Sequence, residues 1–237
     1  MNIFVTGTEF GIGKTLVTAG LSAVMQSLGY NTGVYKPIQT HSIDEGSFLI
    51  SPDLAFIKMF DPYITTHATY LFKSQALPCI ASEIEHNQIE TDRIITDYTL
   101  MAKKCDTIIV EGNGSIFTPI SAEMCSLDIA KMLKLPVVIV TKPDENSVSN
   151  VLLMIKAIQD TGLKVQGIII NKYPQASLNS SVKAFPRLIE EYSDAKIIGV
   201  IREFKRDSIR ASMLIDVVLN GIDLEKTFSM KIPKLNV

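Results

Sequence analysis

Gly13, Lys14 and Thr15 close the stretch GTEFGIGKT (Gly7–Thr15), whose residue types suit one chemistry, the holding of nucleotide phosphates. In the usual phosphate-binding loop four residues separate the first glycine from the closing Gly-Lys-Ser/Thr. Here position 8 is Thr and the glycine stands at position 7, so five residues intervene. The extra residue leaves the physics intact. Gly7, Gly11 and Gly13 allow tight turns that point successive N–H groups inward as an anion nest. A helix starting at Lys14 adds the partial positive charge of its N-terminus. In that setting Gly11, Ile12, Gly13, Lys14 and Thr15 hold the phosphates, with Lys14 at the β/γ groups and the Thr15 hydroxyl on Mg²⁺. The alternative is a glycine-rich turn that merely opens a helix. The preceding strand-like run and the intact Gly13-Lys14-Thr15 weigh against it.

Other candidates stand where strand-like runs end. In CDTIIVEGNGSIFTPI (Cys105–Ile120) an apolar run leads straight into Glu111, followed by Gly112 and Gly114. A carboxylate at the end of a central strand in a phosphate-loop protein suits a Mg²⁺ ligand or a water-organising group. Glycines after it let backbone approach a ligand. Lys36, in YKPIQTH, reads as lying just past a strand with Pro37 fixing the turn. It is either a phosphate or carboxylate contact or a solvated lysine. Asp53, in SPDLAFIK, is either a Mg²⁺ ligand or a carboxylate complementing a helix N-terminus. Asn171, closing the run IIIN, either pairs with a purine edge through its amide or sits left-handed in a turn. His41, His67 and His86 lack ligand spacing, and no Ser–His–Asp or Cys–His set is evident. Cys79, Cys105 and Cys125 are odd in number and without C-x-x-C spacing, which favours reduced thiols acting as small core residues.

These residues need a scaffold. Strand candidates are Asn2–Thr6, Thr32–Tyr35, Thr107–Val110, Val137–Thr141, Val165–Ile170 and Lys196–Ile201. Helix-like patterns cover Lys14–Leu28, about Glu83–Lys103, Ser147 to about Asp160, and Asp207–Leu219, while Pro186 predicts a kink or late start within Val182–Tyr192. Strands apolar at consecutive positions are buried on both faces, and their alternation with helices implies a parallel sheet with helices on both sides. The expected fold class is therefore α/β, a single-domain P-loop NTPase-like fold over residues 1–237, with a less regular region from about Thr40 to Ser82. In such sheets ligands bind beyond the carboxyl ends of the strands.

The 237 residues are 46% hydrophobic and 20% charged with a net charge of −2, a globular balance without the basic surplus of a nucleic-acid partner. Apolar runs such as LPVVIV (Leu135–Val140) are far shorter than the roughly 18 residues of a membrane span. With functional-looking sequence from Met1 onward, the expectation is a cytoplasmic protein binding neither nucleic acid nor membrane. Partition-type ATPases place a second lysine five positions before the loop lysine. Here that position is Glu9, which speaks against that subclass.

Taken together, GTEFGIGKT, YKPIQT, SPD, VEGNG and IIIN resemble dethiobiotin synthetase, collinearly over roughly residues 1–175. That family's phosphate loop has five residues between the outer glycines, as here. The resemblance implies a homodimeric ligase of biotin biosynthesis that uses ATP and Mg²⁺. It would carboxylate 7,8-diaminononanoate with CO₂, phosphorylate the carbamate and close the mixed anhydride to a cyclic urea. By motif position, Lys14 and Lys36 would stabilise the transferring phosphoryl and the carbamate. Thr15, Asp53 and Glu111 would hold Mg²⁺, Thr40 would lie near the diamine or carbamate, and Asn171 would contact adenine. The chain departs from the family pattern at Phe10 and Gly11 in the loop, at Asn113 and Ser115, at ENSVSN (Glu145–Asn150) where a substrate segment crosses the dimer, and at REFKRD (Arg202–Asp207) in place of the adenine loop. The alternatives are a nucleotide-dependent binding or regulatory P-loop protein, or a related ATP-dependent enzyme with another substrate.

Overall fold

The computed structural model describes residues 2–175, 180–203 and 210–232. Seven strands form one parallel sheet. These are β1 (Ile3–Gly7), β2 (Thr32–Gln39), β5 (Thr65–Leu71), β6 (Thr107–Glu111), β7 (Val137–Thr141), β8 (Val165–Tyr173) and β9 (Ile197–Arg202), in the order β5-β2-β6-β1-β7-β8-β9. A separate two-stranded antiparallel ribbon joins β3 (Ile43–Asp44) to β4 (Leu49–Ile50).

The consecutive apolar residues of the central strands serve two cores, as a side-chain period of two requires. Ile108 and Val110 face one cluster while Ile109 between them faces the other. On the Ile109 side pack α1 (Lys14–Ser27), α2 (Pro52–Lys58), α8 (Ala211–Gly221) and α9 (Leu224–Phe228). On the opposite side pack α3 (Pro78–Ile84), α4 (Thr91–Ala102), α5 (Ser126–Met132), α6 (Glu145–Asp160) and α7 (Ser180–Tyr192). The expected two-faced parallel sheet is thus present. No helix among the described residues is long and apolar enough to cross a membrane.

Several elements differ from the sequence expectation. The region from Thr40 to Ser82 contains a full sheet strand, β5, whose TTHATYL sequence lacks an apolar run because the strand lies at the sheet edge and is only partly covered. The single helix expected over residues 83–103 is two, α3 and α4, separated after Glu85 by His86 in the left-handed region at φ 49°. Strand β2 continues through Pro37 to Gln39, so Lys36 lies inside the strand and the proline makes no turn. Pairing with β6 ends at Tyr35, which leaves Pro37 on a stretch with one neighbouring strand. Helix α7 begins at Ser180 with Pro186 inside it, not after it. Of the expected helix over Asp207–Leu219, residues 207–209 lie outside the described residues, Arg210 is the extended N-cap and α8 covers the rest.

Order in the sheet places the site. The chain leaves β1 for β2 on one side, while β7 lies on the other, so β1 and β6 stand at the reversal of strand order. The carboxyl ends of β1, β2 and β6 open there together, the crevice in which such sheets bind ligands.

Candidate phosphate and metal site

The loop from Gly7 to Gly13 wraps the end of β1 and delivers the chain into α1. Gly13, at φ 97°, is the residue before the helix and makes no side-chain cap. A Cβ there would be strained by that φ and would collide with the Asn171 amide, so only glycine fits. The loop is fastened from several sides. Gly7 N donates to Gly114 O at 3.3 Å and Thr8 N to Val140 O at 3.0 Å. The Asn171 amide donates to Ile12 O at 2.9 Å and Lys172 Nζ to Gly11 O at 2.9 Å. Glu9 pairs with Lys142 at 2.7 Å, which fixes the acidic residue outward beside β7.

Beneath the loop, four charges converge: Lys14 from the start of α1, Lys36 from within β2, Glu111 from the end of β6 and Asp53 from the short helix α2. Lys36 Nζ lies 2.7 Å from Glu111 Oε1 and 2.7 Å from Asp53 Oδ2. The Thr15 hydroxyl donates to the same Glu111 Oε1 at 2.9 Å. Lys14 Nζ donates to Glu9 O at 3.3 Å. Burial favours the neutral amine, and together with the charge of Lys36 it pulls the Lys14 pKa down to about 8. Burial acts on Lys36 in the same direction, but the facing Glu111 and Asp53 outweigh it and hold the amine above its usual range. Burial would raise the pKa of Asp53, but the charge of Lys36 and the polar side chains of Thr15 and Gln39 beside it outweigh that and hold it below the usual carboxylate range.

Asp53 is placed by local sequence. Ser51 caps α2 by accepting from Leu54 N at 3.2 Å, and Pro52 supplies a first helical residue that needs no N–H partner. The Ser51 hydroxyl also donates to Gln39 Oε1 at 2.6 Å, while Gln39 Nε2 donates to Thr40 O at 2.7 Å. Gln39 therefore ties the end of β2 to the start of α2, a role that a strand-end glutamine did not reveal in the sequence.

A cavity of about 500 Å³ opens over this cluster. Gly11, Gly13, Lys14, Thr15, Lys36, Thr40, Asp53, Glu111 and Asn171 all line it. Ile12 does not; its side chain is buried and it contributes its carbonyl to Asn171. The sequence did not nominate His41, Asn113, Lys172 or Glu203, which also line the cavity, nor Arg202 on its own account. Asn171 is not the left-handed residue of a turn: it lies within β8, and the left-handed residue is Lys172 at φ 53°. Gly112 makes its close approach within the protein, since a Cβ there would come within 2.7 Å of the Phe4 ring. Of REFKRD, Arg202 and Glu203 reach the cavity, and 204–207 lie outside the described residues. The segment ENSVSN forms the first turns of α6, capped by Asp144, and is not part of the cavity wall.

The donor set fits a magnesium ion. Glu111 Oε2 is buried and has no hydrogen-bond partner among the described residues, although the side chain is about 1% exposed. Two carboxylates and a hydroxyl are too few for an all-protein cage, and no group of three or more His, Cys, Asp or Glu suited to a metal occurs among the described residues. Mg²⁺ asks for no such cage, because it keeps water and binds through one or two carboxylates plus phosphate oxygens.

Comparison with known proteins agrees with this geometry. The family model described as an AAA domain matches residues 1–206. The ATP-dependent dethiobiotin synthetase BioD of Clostridium kluyveri (strain ATCC 8527) is 32% identical over 179 residues, covering 72% of this chain and 74% of that protein. The enzyme of the same name from Bacillus subtilis (strain 168) is 30% identical over 201 residues, covering 83% and 85%. That of Methanococcus vannielii is 29% identical over 203 residues, covering 86% and 94%. Among solved structures, the septum site-determining protein MinD complexed with Mg-ADP from Pyrococcus horikoshii OT3 superposes with a TM-score of 0.60 at 15% identity, covering 97% and 96% of the two chains. A ParA family ATPase from Chlorobium tepidum TLS gives 0.55 at 18% identity, covering 97% and 93%. At such identities these structures establish the fold alone, an α/β P-loop fold. The chain belongs to the ATP-dependent dethiobiotin synthetase family.

Proposed function

We propose that this protein is an ATP-dependent cyclo-ligase that forms dethiobiotin from 7,8-diaminononanoate and CO₂. The observation that carries the reading is the convergence of Lys14, Thr15, Lys36, Asp53 and Glu111 on one cavity in a chain of this family. One amine of the diamine adds to CO₂ and loses a proton to become a carbamate. A carbamate oxygen attacks the γ-phosphorus of ATP, and the bond to ADP breaks. The second amine then attacks the carbonyl of the mixed anhydride, phosphate leaves and the urea ring closes.

Little covalent chemistry falls to the protein in such a sequence; its work is positioning and charge stabilisation. The backbone N–H groups of Gly11–Thr15 hold the phosphates at the start of α1, and Lys14 neutralises charge on the transferring phosphoryl. Lys36 stands between the phosphoryl and the carbamate, Thr40 borders the diamine, and Asn171 joins the loop to the nucleotide side of the cavity. Thr15, Asp53 and Glu111 would hold Mg²⁺, which supplies positive charge to the phosphate oxygens when bound. Homodimerisation and a cytoplasmic location belong to the same proposal, supported by the family.

The test is phosphate release with MgATP and bicarbonate, with and without 7,8-diaminononanoate, beside a Lys14→Ala variant. Diamine-dependent release that disappears in the variant is expected. A folded protein that binds ATP but ignores the diamine would overturn the substrate assignment and leave a related ligase or a nucleotide-dependent binding role.

A further inference from the structure

Lys36 is engaged in a way that phosphate binding does not require. Its ammonium contacts Asp53 Oδ2 and Glu111 Oε1 together, both at 2.7 Å, and the residue is 4% exposed. Thr15 donates to the same Glu111 oxygen at 2.9 Å. Of the three side chains that would hold a divalent ion, Asp53 and Glu111 are therefore already joined through a lysine and Thr15 is bonded directly to Glu111, while the buried Glu111 Oε2 lacks a partner among the described residues.

Charge counting sharpens the point. The formal charges of Lys14 and Lys36 cancel those of Asp53 and Glu111, so the cluster sums to zero as it stands. A divalent cation entering alone would bring two uncompensated charges against a fixed ammonium, where little water screens them. A divalent cation entering with a polyphosphate brings its own anion, and the ammonium then has somewhere else to go. A stretch of strand β2 with one neighbouring strand and a four-carbon side chain give Lys36 the reach to turn from one anion to another.

We propose that Lys36 is the resident cation of the Asp53–Glu111 pair, and that it and a divalent ion are alternative occupants of those two carboxylates. The metal then binds only when an incoming phosphate draws the ammonium away. This rests on the nucleotide-binding reading of the cavity and deepens it. It makes metal and nucleotide binding strongly coupled, and it prevents the site from filling with cation before the phosphates that must be transferred have arrived.

Mn²⁺ serves as the probe, read by water-proton relaxation without turnover. In the absence of nucleotide, Lys36→Met is expected to bind one Mn²⁺ at least about tenfold more tightly than the unaltered protein, and adding Glu111→Gln to that variant removes the gain. Equal affinity in Lys36→Met and the unaltered protein, with normal nucleotide-dependent Mn²⁺ binding in both, overturns the exchange while sparing the nucleotide reading. Absence of Mn²⁺ binding even with a non-hydrolysable ATP analogue overturns both. Should Lys36→Met fail to fold, the unaltered protein labelled with ¹⁵N-lysine gives the answer. The Lys36 ammonium resonance, assigned with Lys36→Arg, is expected to hold steady with Mg²⁺ alone and to shift when Mg²⁺ and the analogue are added together. A resonance that does not move in that complex contradicts the exchange.

Discussion

The cavity has two parts built on different principles. At the phosphate end, Lys14, Lys36 and Glu111 are 7%, 4% and 1% exposed and rise from helix α1 and strands β2 and β6. Around the exposed rim, Phe10 is 58% exposed beside the Lys14 ammonium, and Lys172, Arg202 and Glu203 are exposed as well. Fixed charges that must meet a transferring phosphoryl need rigid support and low dielectric, which strand ends inside two cores provide. Rim side chains on strand termini and loops are free to change between relatives without disturbing that machinery. Of the departures from the family pattern within the cavity wall, Phe10, Gly11, Arg202 and Glu203 are exposed on the rim, while Asn113 is buried.

The largest effects should come from breaking the buried end. Lys14→Ala should lower kcat by about 10²–10³-fold with folding intact, the scale expected for losing one preorganised charge at a transition state. Removing one partner of the buried ion triad by Lys36→Ala should also destabilise the fold, by about 3–5 kcal/mol in chemical denaturation, since two carboxylates are left facing each other.

Next comes the support beneath the cluster. Gly112→Ala places a methyl against the Phe4 ring, for a cost of about 1–3 kcal/mol in thermal unfolding. Gln39→Ala should cost about 1–2 kcal/mol, because Ser51 loses its acceptor and Thr40 O its donor in a buried setting. It should also weaken catalysis, because Asp53 loses a tether.

Acid should find the same end. Asp53 has a folded pKa below its unfolded value, so its contribution is present above about pH 4, the unfolded value, and is lost as pH falls through the lowered one. Stability measured from pH 6 to pH 3 should fall less steeply in Asp53→Asn than in the unaltered protein.

The smallest effects belong to the rim. Phe10→Ala and Lys172→Ala should alter KM by less than about tenfold and leave kcat close to unchanged, as expected of exposed contacts worth about 1 kcal/mol or less. A Lys172→Ala variant that lost kcat as severely as Lys14→Ala would erase the distinction between the buried end and the rim.

The same division marks how far the sequence could be read. Central strands announced themselves through consecutive apolar residues such as Val137–Thr141, because burial on both faces leaves no polar position. Strand β5 stayed hidden because its edge position tolerates Thr65, Thr66 and His67. The break between α3 and α4 depends on His86 taking a left-handed conformation, which no apolar period records. At the site, Lys14 and Thr15 were legible from the glycine-rich loop that ends in Gly13-Lys14-Thr15 after a strand-like run, and Glu111 because it closes such a run directly. Lys36 was legible as a charge but not as a strand residue, since Pro37 mimics a turn. The bond from Asn171 to Ile12 joins residues 159 positions apart, and the Gln39–Ser51 tie depends on the path of the ribbon β3–β4 between them. Such contacts exist only once the fold has closed.

The most direct test of the central claim follows the carbon. With ¹³C-bicarbonate, 7,8-diaminononanoate and MgATP, mass spectrometry should find one labelled carbon in a cyclic urea product for each phosphate released, and Glu111→Gln should suppress both together. ATP hydrolysis that proceeds without label entering any urea would contradict the account.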